Sequence, residues 1–198
     1  MNAKRSIDRD DITPMDIYGA ERPQRRRAVI DLKRHRRLEV GPVAAFYFEN
    51  YETMLSQIQE MLWIEKGGEA QLADELSAYN PLIPQGAELV ATLMFEITDP
   101  NRRTRQLARM GGVEHMVSLE VGGEKIQGVA DIKDGIDRTR ADGKTSSIHF
   151  LHFPFTPAQI AAFRDSGARI VAAIDHPEYA HMAVFPEATR QALARDFN

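Results

Sequence analysis

A chain of 198 residues, 43% hydrophobic and 27% charged, has enough apolar material for a sizeable core and the balance of an ordinary soluble globular protein. Its formal charge of -4 gives no global attraction to nucleic acid, and no apolar run approaches the roughly 20 residues of a membrane-spanning helix. Cysteine is absent, which excludes disulfides, thiolate nucleophiles, cysteine–zinc sites and the usual protein-ligated iron–sulfur clusters. The start, MNAKRSIDRDD, has no apolar signal region, so a cytoplasmic location is expected, with no membrane association.

In chain order, Thr13-Pro14-Met15-Asp16 reads as an N-cap with proline at the first helical position, opening a short helix. Pro23 is expected to open a second, longer helix ending near Arg37, and Gly41-Pro42 closes the region. The apolar run Val43 to Phe48 predicts a buried strand. Asn50 caps a predicted helix from Tyr51 to Glu65, stopped by Gly67-Gly68, and a third helix covers Glu69 to Tyr79. Two prolines between Tyr79 and Gly86 enforce an extended link.

From there strands take over. Leu89 to Thr98 reads as a strand, and Asp99-Pro100 caps a helix ending at Gly111-Gly112. His115 to Val121 and Glu124 to Ala130 flank Gly122-Gly123, a two-residue hairpin signal. Asp131 to Lys144 is polar and reads as a mobile loop, and Ser146 to Phe153 alternates as a strand. Thr156-Pro157-Ala158-Gln159 is a capping box that opens a helix to Ser166. Arg169 to Ile174 and His181 to Phe185 predict a hairpin around Asp175-His176-Pro177-Glu178-Tyr179, and Glu187 to Phe197 a closing helix. Helices before strands argue for an α+β class, a helical N-terminal part packed on a mostly antiparallel sheet. A single domain over residues 1–198 is expected, helix-rich over 1–86 and strand-rich over 87–198.

On a wheel of about 100° per residue, Met54, Leu55, Ile58, Met61 and Leu62 form the buried stripe of the Tyr51–Glu65 helix. Thr53, Gln57, Glu60 and Ile64 run along its edge, and Glu52, Ser56, Gln59 and Trp63 make the outer face. Gln57 and Glu60 are candidates to reach into a cleft, the alternative being a solvated helix face. An indole rarely serves a solvated face, so another element or a partner chain is expected to cover Trp63.

Phe48-Glu49-Asn50 with Thr53 and Gln57-Ile58-Gln59-Glu60-Met61 resembles a bacterial family designated domain of unknown function 3501. Tyr79-Asn80-Pro81-Leu82-Ile83-Pro84, the run Lys144 to Leu151 and Asp175-His176-Pro177-Glu178-Tyr179 resemble further signatures of that family, as does the Arg-rich stretch Arg25 to Gly41. The resemblance spans nearly the whole chain. It implies no activity; it implies a redox or peroxide-stress context, because members are encoded near rubrerythrin-like and iron–sulfur oxidoreductase proteins. Asn80 and Tyr179, which stand in two of these motifs, join Gln57 and Glu60 as ligand-binding candidates.

Without cysteine, any divalent metal would need His, Asp and Glu ligands, and Glu49, His149, Asp175 and His176 are the candidates. Against them, His149 and His152 stand three apart on one predicted strand and so point to opposite faces. Asp175-His176 also fits plain turn chemistry before Pro177. HExxH, GxSxG, GxGxxG and the Walker loop are all missing, so no motif names a reaction. Between Arg22 and Arg37 stand eight Lys or Arg against one acid, Asp31; this segment carries +7 and the remainder -11. No aromatics interleave these arginines, which disfavours nucleic acid. An acidic redox partner is the expectation, with Arg26, Arg34 and Trp63 as contact candidates, and a homo-oligomer is compatible.

Three functions stay open. The first is a non-catalytic accessory protein docking a redox partner through the basic helix and Trp63. The second is a metal-binding protein or metalloenzyme using His149, His176 and carboxylates such as Glu49 or Glu60. The third is a small-molecule binding module.

Overall fold

The computed structural model describes residues 4–130, 139, 143–165 and 167–198. Along the chain run α1 (Met15–Arg34), β1 (Arg37–Val40), β2 (Ala44–Glu49), α2 (Tyr51–Glu65), α3 (Gly68–Tyr79), β3 (Glu88–Phe95) and α4 (Pro100–Leu107). They are followed by β4 (Val117–Val121), β5 (Glu124–Gln127), β6 (Val129–Ala130), β7 (Ile148–Pro154), α5 (Pro157–Arg164), β8 (Ile170–His176), β9 (Tyr179–Val184) and α6 (Glu187–Leu193). The fold is α+β. One sheet has the order β1-β2-β3-β7-β6 and the other β5-β4-β8-β9, with antiparallel pairing throughout.

Strand alternation makes the first sheet the middle layer. In β3, Leu89, Ala91, Leu93 and Phe95 point toward the second sheet and join Leu119, Ile126, Ile174, Phe153 and Phe163 in one core. Val90, on the opposite face, joins Met54, Ile58, Leu62 and Leu72 of α2 and α3 in another. The outer face of α2 is closed by α1, so three layers of helix and sheet precede the second sheet.

Several elements differ from the sequence expectation. α1 runs unbroken through Pro23 instead of being two helices. Proline there forgoes the hydrogen bond to the Gly19 carbonyl, a loss tolerated because Tyr18 and Gly19 are anchored on α2 just upstream. The helix stops at Arg34, and Arg37–Val40 is a strand pairing Arg37 with Tyr47 and Leu38 with Phe46. The run of basic residues hid that strand's period of two, in which Leu38 and Val40 are buried. The stretch after Gly122-Gly123 is two strands, because the chain changes sheets at Gly128. A Cβ there would sit 3.0 Å from both the Phe153 ring and the Val117 carbonyl, so only glycine makes the crossing without displacing either. Asp175, His176 and Tyr179 lie within β8 and β9, leaving Pro177-Glu178 as the turn. Ser166 and most of the expected loop from Asp131 to Lys144 lie outside the described residues.

Candidate functional site

The polar face of α2 is an interface with α1. Glu60 receives Arg22 through two hydrogen bonds of 2.9 and 2.8 Å and the Tyr18 hydroxyl at 2.6 Å. Arg22, with help from Tyr18, holds the Glu60 carboxyl below the usual carboxylate range. Burial, and then the Glu60 carboxylate, push the Tyr18 phenol up. Gln59, assigned to the outer face from the wheel, is 2% exposed and grips the backbone of Thr13, accepting from its N–H at 2.9 Å and donating to its carbonyl at 3.0 Å. Trp63 lies edge-on to Tyr18 at 6.1 Å and against Gly19, where a Cβ would approach the indole to 2.5 Å. Burial pushes the Tyr79 phenol of α3 up, and Gln57 of α2 pulls it the other way. The cover expected over Trp63 is therefore α1 of the same chain.

Much of the basic segment is neutralised in place. Arg22 pairs with Glu60, Arg25 with Glu21, Arg34 with Asp31, Arg36 with Asp196, and Arg37 with Glu39 and Glu96. Arg26, Arg27 and Lys33 have no acidic ion-pair partner among the described residues. They stand about one turn either side of Ile30, which is 60% exposed; Arg26 and Arg27 are exposed, Lys33 is half-buried, and Arg26 is near enough to Glu60 of α2 to help lower its carboxyl.

The four metal candidates do not share a site. Glu49 lies opposite Val90, on the helix-facing side of the middle sheet, and accepts the Thr53 and Thr92 hydroxyls at 2.7 and 2.8 Å. His149 lies opposite Leu93, on the other side of the same sheet. Asp175 and His176 are neighbours on β8 and point to opposite faces, Asp175 outward to solvent and His176 inward. The Glu178 N–H donates to His176 Nδ1 at 3.1 Å, so His176 Nε2 carries the proton donated to the Gly111 carbonyl at 3.3 Å. Among the described residues no group of three His, Asp or Glu stands in position to hold a metal ion.

A buried acid that the sequence does not flag stands beside His149. Glu114, 1% exposed in the turn after Gly111-Gly112, places Oε2 3.8 Å from His149 Nδ1. His149 Nε2 donates to the Ser146 carbonyl at 2.9 Å and has the Thr145 hydroxyl at 3.2 Å. Thr139 bridges this pair to the turn, accepting from the Gly112 N–H at 2.9 Å and donating to Glu114 Oε1 at 3.2 Å. His149 and His176 thus brace the same Gly111–Glu114 turn from two strands. The local sequence around Glu114 carries no pattern that would have revealed this.

Asn80 and Tyr179 serve the backbone. Asn80 accepts from the Ile7 N–H at 2.7 Å and donates to its carbonyl at 2.9 Å, pinning the N-terminal segment. The Tyr179 hydroxyl donates to the Val40 carbonyl at 2.7 Å and accepts from the Val43 and Ala44 N–H groups at 3.1 and 3.0 Å. Tyr179→Phe removes three hydrogen bonds to buried backbone groups and is expected to cost about 2–4 kcal/mol in urea unfolding. A cost below about 1 kcal/mol would mean water replaces the hydroxyl.

A family model described as "Protein of unknown function (DUF3501)" matches residues 6–197. The chain is 34% identical to a novel protein of unknown function from Burkholderia pseudomallei K96243, whose crystal structure superposes with a TM-score of 0.88 over 98% of this chain and 100% of that one. No functionally curated protein matches. No helix among the described residues is long and apolar enough to cross a membrane.

Proposed function

This chain belongs to the family described as Protein of unknown function (DUF3501), and from that premise we propose that it is a non-catalytic interaction protein that docks an acidic partner on the exposed face of α1. The observation that carries this reading is Ile30, 60% exposed on a 20-residue helix, with Arg26, Arg27 and Lys33 about one turn either side of it. An apolar centre with a charged rim is how protein interfaces are built, and cations without an ion-pair contact among the described residues steer an acidic surface toward it. Arg34, half-committed to Asp31 at 3.1 Å on the surface, remains available to a stronger acid. Trp63 supports the docking helix from beneath. A protein of a redox or peroxide-stress system fits as the partner, and with no cysteine in this chain any iron–sulfur centre would sit on that partner.

The test is reversal of charge. The wild type is used to capture a partner from source cells, and the partner is identified, purified and recombined with the wild type and with Arg26→Glu/Lys33→Glu. The double variant is expected to bind on the order of tenfold more weakly and with a flatter dependence on salt. Unchanged affinity and salt dependence would leave α1 as ordinary solvated surface.

A further inference from the structure

At the other end of α1 a cleft of about 620 Å³ opens between the segment leading into that helix, the end of α2 and the start of α3. Its apolar walls are Ile12, Met15, Leu62, Trp63 and Leu72. Sites for small molecules span roughly 300–1,000 Å³ and have such walls with a few polar groups at one end. Both long walls are fixed by contacts within the chain. Gln59, almost fully buried, holds Thr13 by its N–H and its carbonyl, and so holds the turn carrying Ile12 and Met15. The Trp63 ring cannot swing toward α1, because Gly19 already touches it and Tyr18 meets its edge. A wall that needs no ordering on binding saves the ligand that cost.

Three charged side chains line the cleft. Arg9 and Glu69 neutralise each other through two parallel hydrogen bonds of 2.8 and 2.7 Å. Lys66 has no ion-pair partner among the described residues, so the lining carries one net positive charge. Lys66 also ends α2 in the left-handed conformation, with φ 57°, at a position where glycine is the usual occupant.

We infer that this cleft binds a small amphipathic monoanion, its apolar body against Trp63 and Leu72 and its carboxylate at the Lys66 ammonium. The inference is independent of the partner docked on the outer face of α1. Its readout is built in, because Trp63 is the single tryptophan of the chain. The purified full chain is titrated with decanoate and with decyltrimethylammonium, equal apolar bodies with opposite heads, both below their micelle concentrations. A saturable change in Trp63 emission is expected with decanoate, at an affinity at least tenfold above that for the cation. Lys66→Gly keeps the left-handed backbone without strain, so its unfolding midpoint is expected to be unchanged or higher while decanoate affinity falls at least fivefold; Lys66→Arg retains binding. The absence of a saturable change, equal affinity for the two heads, or undiminished decanoate binding by Lys66→Gly would each overturn the inference.

Discussion

Arg36→Ala is expected to cost on the order of 3–5 kcal/mol of folding stability, the range for stranding one member of a buried ion pair. Arg36 is 3% exposed and Asp196 7% exposed. The guanidinium donates to the Phe48 and Glu49 carbonyls, both at 2.9 Å, and to both oxygens of Asp196. It thereby joins the end of β2 to the C-terminal segment after α6, with Arg36 and Asp196 themselves 160 residues apart. Truncation removes four hydrogen bonds and leaves a buried carboxylate without its cation. Adding Asp196→Leu should recover part of the loss but not all, because the two hydrogen bonds from Arg36 to the carbonyls are not restored.

The deficit should also depend on pH, with a definite sign. Burial raises the Asp196 carboxyl above its usual range, against the lowering pull of Arg36. Removing Arg36 removes that pull, so the folded-state value rises further above the unfolded one. A folded state that binds the proton more readily loses stability as pH climbs from the unfolded value through the folded value. Chemical denaturation should therefore show a larger Arg36→Ala deficit at about pH 7.5 than at about pH 4.5. A pH-independent cost below about 1 kcal/mol would remove the pair from the list of features that hold this fold together.

Ile58→Ala should cost about 2–5 kcal/mol, through lost burial and the cavity left behind. Ile58 is fully buried in the middle of α2 and shares a cluster with Met54, Leu62, Leu82 and Val90, so several rigid neighbours would have to move to fill the gap. Ile64 on the same helix is 62% exposed, and Ile64→Ala should stay within about 0.5 kcal/mol of wild type. If the two substitutions cost the same, the face of α2 assigned to the sheet is the wrong one.

Much of this architecture was legible residue by residue. The bounds Tyr51 and Glu65 followed from a cap whose two hydrogen bonds join Asn50 and Thr53, three positions apart. The box at Thr156 and Gln159 and the turn at Gly122-Gly123 were legible for the same reason. The division of α2 into a buried stripe and a polar side followed from helical period alone, and Met54, Ile58 and Leu62 are buried as that period requires. The role of the polar side did not follow. Glu60 and Gln59 are committed to Arg22 and Thr13, residues 38 and 46 positions away, and no local pattern announces such partners.

What the sequence determined by itself was whatever depends on neighbours within about one turn: caps, period, hairpin turns, the absence of thiol chemistry, and through its spaced motifs the family. Tertiary structure decided the rest. It carried α1 through Pro23, because anchoring at Tyr18 and Gly19 outweighs one lost hydrogen bond. It set Glu49 and His149 on opposite faces of one sheet, because the register of β2, β3 and β7 fixes which side each residue faces. It also brought Glu114 beside His149 and set Lys66 on the lining of an apolar cleft. Such meetings depend on how distant elements pack, and a chain's local propensities carry no term for that distance.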